Sequence, residues 1–326
     1  MSSLNESQKT IATVGIVVTL TVYLIRRRFR GATCKSLALL KGKTVIVTGA
    51  NTGIGRETAL DLATREARVI LACRDVQKGE NAAKYIRKYT PDGEVVVKIL
   101  DLASMKSIRS FSEDILKTEN RLDVLINNAG VFRPPLLRTE DGFELQFGVN
   151  YLGQFLLTNL LLDLLKKTDS SRIVIVASAL LKRGRINFED INCEKNYSKA
   201  QGYSNSKLAI AMFARELHKR LSADAESSSN GNNPSVYCLH PGVIDTEMSR
   251  YFPMFVRVLL SPIRWLFFKT PKQGAQTTIY CAVAGELKGV SGRYYGDCKE
   301  EPWHKAVLDE DVAKKLWEVS EKMTKL

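Results

Sequence analysis

Tyr203 and Lys207, in the run Tyr-Ser-Asn-Ser-Lys, are the residues whose types and spacing point most directly to chemistry. Four positions apart, they share one face of a helix, one turn from each other. An ammonium held near a phenol favours the phenolate and lowers the tyrosine pKa. A phenol tuned toward neutral pH exchanges a proton with an alcohol or carbonyl oxygen. Alone the spacing is weak, because Tyr-x3-Lys arises by chance in many helices as a solvated pair. Its weight comes from what precedes it: a glycine turn at residues 49–55, and Ser178 at the tip of an apolar run. A strand-tip serine serves either as a cap or, beside Tyr203, as a hydrogen-bond donor to a substrate oxygen.

The elements that must position these residues alternate strand and helix. Residues 43–48 read as a buried parallel strand. They run into Gly49-Ala-Asn-Thr-Gly53-Ile-Gly55 and then a helix start at Arg56. Strand, glycine turn, helix is the context of a dinucleotide fingerprint. The glycines let the backbone approach a pyrophosphate, and the helix N-terminus faces its charge. The spacing is Gly-x3-Gly-x-Gly rather than Gly-x-Gly-x-x-Gly. A second strand, 68–72, ends at Cys73-Arg74-Asp75. An acidic residue at that point favours NAD, and an arginine accommodates the 2′-phosphate of NADP. Arg74 therefore favours NADP(H), although a register shift would bring Asp75 to the same place. A helix at 76–89 leads to a strand at 95–100 that closes with Asp101-Leu102. Asp101 is placed either to meet an adenine amino group or to cap the helix at 104–117. A fourth strand, 122–126, ends in Asn127-Asn128-Ala129-Gly130, small residues suited to the crevice at a strand's carboxyl edge. A long helix across 147–165 carries Asn150, which binds water, binds a backbone carbonyl or faces solvent. A fifth strand at 172–177 delivers Ser178. The helix of Tyr203 runs to about residue 221, and a Ser/Asn/Gly-rich surface loop follows at 223–234. A sixth strand at 236–239 leads to Pro241-Gly242-Val243. A helix at 274–283, an edge strand near 293–295 and a polar helix at 310–324 complete the chain. The expected fold is α/β, a doubly wound, mostly parallel seven-stranded sheet with helices on both faces.

With 326 residues, 44% of them hydrophobic, the chain suits one large α/β domain, placed at 41–326. The net charge of +13 is scattered, with no basic stripe interleaved with aromatics, so nucleic acid is not an expected partner. An anionic membrane surface or a phosphate-bearing cofactor accounts for it better. The six cysteines show no Cys-x-x-Cys pair and no metal-ligand grouping with the three histidines. They read as reduced thiols.

Residues 10–25 carry no charge and are followed by Arg26-Arg27-Arg28-Phe29-Arg30. The stretch is short against the roughly 20 apolar residues of a full span. A signal peptide would carry its charge before the apolar run, and a core helix is unexpected so near the first residue. A membrane anchor within residues 1–40 is the favoured reading, with the domain on the cytosolic side of the arginines. The endoplasmic reticulum is the expected membrane and a mitochondrial one the alternative. Residues 251–270, aromatic and broken by Pro253 and Pro262, read as a lid over a hydrophobic pocket, either alone or dipped into the membrane surface. Asn196-Tyr-Ser198 is a glycosylation sequon, expected to stay unmodified on the cytosolic side.

Taken in order, the glycine turn, Asn-Asn-Ala-Gly at 127–130, Asn150, Ser178, Tyr203-x3-Lys207 and Pro241-Gly242 resemble a short-chain dehydrogenase/reductase. LACRDV at 71–76, TEDGFELQFGVNYLGQFLLTNLL at 139–161, TPKQGAQTTIYCA at 270–282 and GVSGRYYGDCKEE at 289–301 resemble its retinol dehydrogenase branch. The resemblance covers 41–326. It implies a catalytic set of Asn150, Ser178, Tyr203 and Lys207, with Tyr203 as acid/base, Lys207 on the nicotinamide ribose and Asn150 supporting a proton-relay water. It implies an NADP(H) site lined by Gly49, Asn51, Thr52, Gly53, Ile54, Gly55, Arg74, Asp101, Leu102, Asn128, Ala129, Gly130, Tyr203, Lys207, Pro241, Gly242, Val243 and Thr246. The implied substrate is a retinoid or another lipid carbonyl, and family members often form homodimers through long helices. The chain departs from the branch at Ala177, where a serine is usual, and at Tyr151 and Gln154, where histidines are frequent. A membrane scaffold that keeps the fold without turnover is the reading from another class, opposed by the intact catalytic set.

Overall fold

The computed structural model describes residues 6–90, 93–227, 233–244 and 265–326. Eight strands form one sheet in the order β3-β2-β1-β4-β5-β6-β7-β8. They are β1 Thr44–Thr48, β2 Arg68–Cys73, β3 Val95–Ile99, β4 Val124–Asn127, β5 Arg172–Val176, β6 Ser235–His240, β7 Arg293–Gly296 and β8 Lys299–Glu301. All neighbours from β3 to β7 pair in parallel, and β8 turns back antiparallel on β7. The eighth strand is a correction to the expected seven. It is three charged residues long, and no apolar alternation announces it.

Alternation explains why the sheet is covered on both faces. Ile46 and Ile70 point into one core, while Val45, Val47, Val69 and Leu71 point into the other. The first face is packed by α4 Met105–Thr118, the segment 145–167, α8 Lys199–Ser227 and α10 Glu310–Thr324. Phe155 is fully buried there, its ring 5.2 Å from Phe213 and 5.0 Å from Trp317. The second face is packed by α2 Gly53–Thr64, α3 Val76–Tyr89 and α9 Pro271–Val283. Asp123 pins β1 to β4 at the amino edge. Its carboxylate accepts from the Thr44 N–H at 2.9 Å and from Arg121 at 2.7 and 2.8 Å. Order reverses between β1 and β4, whose carboxyl ends open the crevice where ligands bind in such sheets.

The long helix expected at 147–165 is built in pieces. One turn, α5 Leu145–Phe147, passes into a π-helical turn over Gly148–Leu152, then α6 Gly153–Leu160 and α7 Leu162–Lys167. Such π-turns widen a helix locally and recur at functional sites. The helix of Tyr203 continues to Ser227, beyond the expected end near 221.

The expected anchor lies inside α1 Glu6–Phe29, where Val14, Ile16, Val17, Val18, Leu20, Tyr23 and Leu24 are each more than half exposed. Among the described residues no helix is long and apolar enough to cross a membrane. The arginine end of α1 is docked. Arg26 donates to the carbonyls of Trp265 and Phe268 and lies 5.0 Å over the Trp265 ring, and Phe29 meets Phe267 at 5.0 Å. The expected lid at 251–270 falls mostly outside the described residues, which resume at Trp265.

Candidate active site

The glycine turn sits at the carboxyl end of β1. Gly49 and Gly53 take left-handed φ values of 66° and 58°, which favour a residue without a side chain. A Cβ on Gly49 would lie 2.9 Å from the Ala129 Cα, and one on Gly55 would lie 2.5 Å from the Asn128 amide nitrogen. Both positions therefore also need glycine for packing. Thr52 precedes α2 without a side-chain cap bond, and Arg56 is the first residue whose N–H is taken up, by the Thr52 carbonyl. The N–H groups of Gly53, Ile54 and Gly55 have no partner among the described residues. A helix N-terminus with free donors behind a glycine turn fits a phosphate group. Asn51 and Ile54 are half-buried and Thr52 is exposed beside it.

Thr48 and Asn128 join the two strand ends that flank this turn. The Thr48 hydroxyl accepts from the N–H groups of Asn128 and Ala129, both at 2.9 Å, and donates to the Ile126 carbonyl. The Asn128 amide donates to the Thr48 carbonyl at 2.8 Å. Thr48 was not among the expected site residues, although a hydroxyl just before the first glycine was a usable signal.

Arg74 is the first residue past β2 and is exposed. Asp75 is already engaged: it caps α3 through the Lys78 N–H at 3.0 Å and pairs with the Lys78 ammonium at 3.1 Å. Those hydrogen bonds hold its carboxyl below the usual range. Asp101 caps its own turn, accepting from the Ala103 N–H at 2.9 Å, while Ser104 caps α4. The helix-cap alternative for Asp101 is thereby corrected. Leu102 is buried, and its carbonyl approaches Gly153 so closely that a Cβ there would lie 2.5 Å away.

The four expected catalytic residues converge at the ends of β4 and β5. Asn150 is wholly buried on the π-turn, not solvated. Its amide oxygen accepts from the Val131 N–H at 2.7 Å, and its nitrogen donates to the Val131 carbonyl and the Ser206 hydroxyl, each at 3.0 Å. Ser206 donates in turn to the Tyr203 carbonyl at 2.8 Å. Asn150 thus fixes the segment following Gly130 and the helix of Tyr203 relative to each other. Gln154, noted only as a departure, is equally buried and donates to the Ala129 carbonyl at 2.6 Å. Tyr151, the other departure, is buried away from the site, 2.6 Å from the Ser320 hydroxyl.

Ser178 serves as a cap: its oxygen accepts from the Leu180 N–H at 3.2 Å at the start of a short 3-10 turn. Its hydroxyl is also close enough to Tyr203 to favour the phenolate. Tyr203 is 8% exposed. Burial pushes its phenol up to about 12, against the opposing pull of Ser178 and the Arg133 charge. The expected lowering by Lys207 is therefore overturned. The ammonium lies 5.9 Å from the Tyr203 ring centre and donates to the Val176 carbonyl at 2.8 Å. Burial lowers Lys207 to about 8. Gly130 leaves room at this point, since a Cβ there would stand 3.2 Å from Asn150 and 3.7 Å from the Lys207 ammonium.

Pro241 and Gly242 follow β6, with Gly242 at φ 83° and Val243 exposed. The Val243 carbonyl accepts the Lys269 N–H at 2.9 Å, Ile244 bridges to Lys269, and the Lys269 ammonium pairs with Asp297. Thr246 lies outside the described residues. Phe132, Arg133 and Ser206 complete the surroundings of Tyr203, and nothing in their spacing marked them. Among the described residues no group of His, Cys, Asp and Glu is placed to hold a metal.

A family model described as short chain dehydrogenase matches residues 43–254. Retinol dehydrogenase 14 of Mus musculus is 50% identical over 320 residues, covering 93% of this chain and 93% of its own length. Retinol dehydrogenase 13 of Mus musculus is 48% identical over 321 residues, covering 97% and 93%. Among solved structures, a protein from Mycobacterium Paratuberculosis is 35% identical with a TM-score of 0.71, covering 90% of this chain and 98% of that one. A short chain dehydrogenase from Shigella flexneri 2a, solved complexed with NADP, is 23% identical with a TM-score of 0.63 over 81% of this chain and 100% of that one, a likeness of fold. The similarity thus runs along the whole domain rather than through the glycine turn alone, and the chain belongs to the short-chain dehydrogenase family, in its retinol dehydrogenase branch.

Proposed function

We propose that the protein is an NADP(H)-dependent oxidoreductase that interconverts a hydrophobic alcohol and its carbonyl, with reduction of all-trans-retinal to retinol as the leading reaction. The observation that carries this is the convergence of Ser178, the buried Tyr203 and the buried Lys207 ammonium, one helical turn from that tyrosine, at the strand ends beside the glycine turn. NADPH, when bound, supplies the hydride for the carbonyl carbon. Everything else falls to the chain. The free N–H groups at the start of α2 and the glycines of the turn receive phosphate. Arg74, exposed beyond β2 while Asp75 is occupied with Lys78, favours the 2′-phosphate. Ser178 directs the substrate oxygen toward Tyr203, which donates its proton to that oxygen as charge develops. A phenol held up to about 12 keeps that proton at neutral pH. Lys207 keeps a positive charge behind the tyrosine up to about pH 8, and Asn150 holds the two backbone segments that shape the site.

The setting belongs to the same reading. The exposed apolar side of α1 and the basic run at 26–30 favour a membrane surface, with the domain on the cytosolic side and the endoplasmic reticulum as the compartment. A homodimer through the long helices completes it. Steroid and lipid-derived carbonyls are the substrate alternative, because an apolar pocket discriminates poorly among apolar chains. The test uses the full chain in detergent, comparing NADPH with NADH oxidation on all-trans-retinal and on a medium-chain aldehyde. NADPH-dependent retinal turnover, abolished by Tyr203→Phe, supports the reading. Cofactor binding with no turnover of any carbonyl overturns it.

A further inference from the structure

The segment leaving β4 ends in a cation that nothing in the described structure neutralises. Gly130 to Arg133 is held from one side by two buried side chains. Asn150 takes both polar groups of Val131, and the Gln146 amide oxygen accepts the Arg133 N–H at 2.9 Å. Arg133 itself sits at φ 49°, a left-handed conformation uncommon for a residue with a side chain. That conformation folds the guanidinium over the Phe132 ring at 5.0 Å. Phe132 in turn stands perpendicular to Tyr203, with ring centres 4.7 Å apart. The positive charge is therefore one aromatic ring away from the phenol that meets the substrate oxygen.

This guanidinium is unlike the other engaged arginines. Arg65, Arg68 and Arg121 are each bonded to a carboxylate, and Arg172 to two carbonyls. Arg133 has no acidic partner among the described residues, and its Nε is buried with no hydrogen-bond partner. A half-buried guanidinium offering its planar fork is matched by a carboxylate. Leu136 and Leu137, 46% and 50% exposed just beyond it, offer apolar surface to the rest of such a molecule.

We propose that Arg133 is a specificity-determining residue that binds a carboxylate on the substrate, so that the site selects lipid oxo acids with carbonyl and carboxylate a few carbons apart. The short distances through Phe132 set that separation, with the carbonyl on Tyr203 and the acid on Arg133. The proposal rests on Tyr203 as the group that meets the carbonyl.

The test compares a medium-chain 4-oxo acid with its methyl ester, which removes only the charge, on the full chain with NADPH. The acid is expected to show a kcat/KM about tenfold or more above the ester, carried by KM, as one charged hydrogen-bonded contact gives. Arg133→Gln should abolish that preference by lowering turnover of the acid far more than that of the ester, and Arg133→Lys should restore part of it. Equal turnover of acid and ester, or a preference that survives Arg133→Gln, overturns the proposal. Binding separates it from the reductase reading. Acid and ester are titrated onto the NADPH-bound Tyr203→Phe protein by tryptophan fluorescence. Arg133-dependent binding of the acid, with no turnover by the unmutated protein, keeps this proposal and sinks the reductase. Equal binding of both compounds sinks this one.

Discussion

Tyr203 and Lys207 stand one turn apart on α8, yet the lysine donates to the Val176 carbonyl at 2.8 Å and sits 5.9 Å from the tyrosine ring centre. Each group is governed by its own burial more than by the other. The phenol moves up and the ammonium moves down, each shifted toward its neutral form relative to an exposed group.

That arrangement fixes a pH dependence of stability. Lys207 titrates at about 8 in the folded chain, against 10.5 for an exposed lysine. Between those values the unfolded chain binds the proton and the folded chain does not, so this group's contribution rises with pH across the window. Tyr203 has the opposite sign: from 10 to about 12 the folded chain keeps a proton that the unfolded chain loses, and stability falls. Urea midpoints for the unmutated protein and Lys207→Met, followed from pH 7.5 to 9.5, should diverge in favour of the unmutated protein as pH rises. Parallel curves would show that the ammonium is not desolvated.

Tyr203→Phe removes the proposed proton donor while leaving the ring that packs against Phe132. Carbonyl reduction should fall by about 100-fold to 10,000-fold, the usual share of general acid catalysis. NADPH affinity should change by less than about threefold, since the free donors of α2 are untouched. Single-turnover kinetics beside a fluorescence titration separate the two effects.

Thr48→Val keeps the shape of the side chain and deletes its oxygen. The N–H groups of Asn128 and Ala129 then lose their acceptor at a tightly packed strand end. A loss of about 2 kcal/mol or more in unfolding free energy is expected, together with weaker cofactor binding. A variant as stable as the unmutated protein would mean that water replaces the hydroxyl without cost.

Gly49→Ala combines a left-handed backbone with a Cβ 2.9 Å from the Ala129 Cα. Neither atom is the end of a flexible chain. Destabilisation of about 1–3 kcal/mol is expected from the backbone conformation alone. Calorimetry with and without NADPH should show both a lower Tm and a smaller ligand-induced rise.

Arg74→Asp places an acid where the ribose is read. The ratio of kcat/KM for NADPH over NADH should fall by at least about tenfold. An unchanged ratio would move 2′-phosphate recognition away from the end of β2.

Much of this fold is legible from chain chemistry, and the failures are instructive. Six of the seven parallel strands are apolar runs that end at Gly49, Arg74, Asp101, Asn128, Ser178 and Pro241 or close to them, so their positions follow from pattern. The strand of Lys299–Glu301 does not, because its pairing comes from the turn before it and not from burial. Ser178, Tyr203, Lys207 and Asn150, singled out in the sequence, lie together in the fold, but the sign of the Tyr203 shift was not readable. Spacing reports which groups are neighbours, whereas desolvation depends on everything packed around them. Thr48 and Gln154 act through backbone groups of distant segments, a relation no local spacing encodes. Arg133 combines a left-handed φ with a backbone bond to Gln146, neither of which is visible in composition.

The contact of Lys269 with Val243 and Ile244 has a consequence for how such a chain diversifies. Val243 and Ile244 on one side of positions 245–268 and Lys269 on the other are held directly together, by a backbone hydrogen bond and a bridge. Lengthening a loop with tethered ends is thermodynamically mild, about 0.6 kcal/mol for each doubling. Sequence changes between Ile244 and Lys269 are therefore expected to leave β6 and β7 in place. Grafting the corresponding stretch from a related chain between Ile244 and Lys269 is a route to new substrate preference on an unchanged catalytic frame.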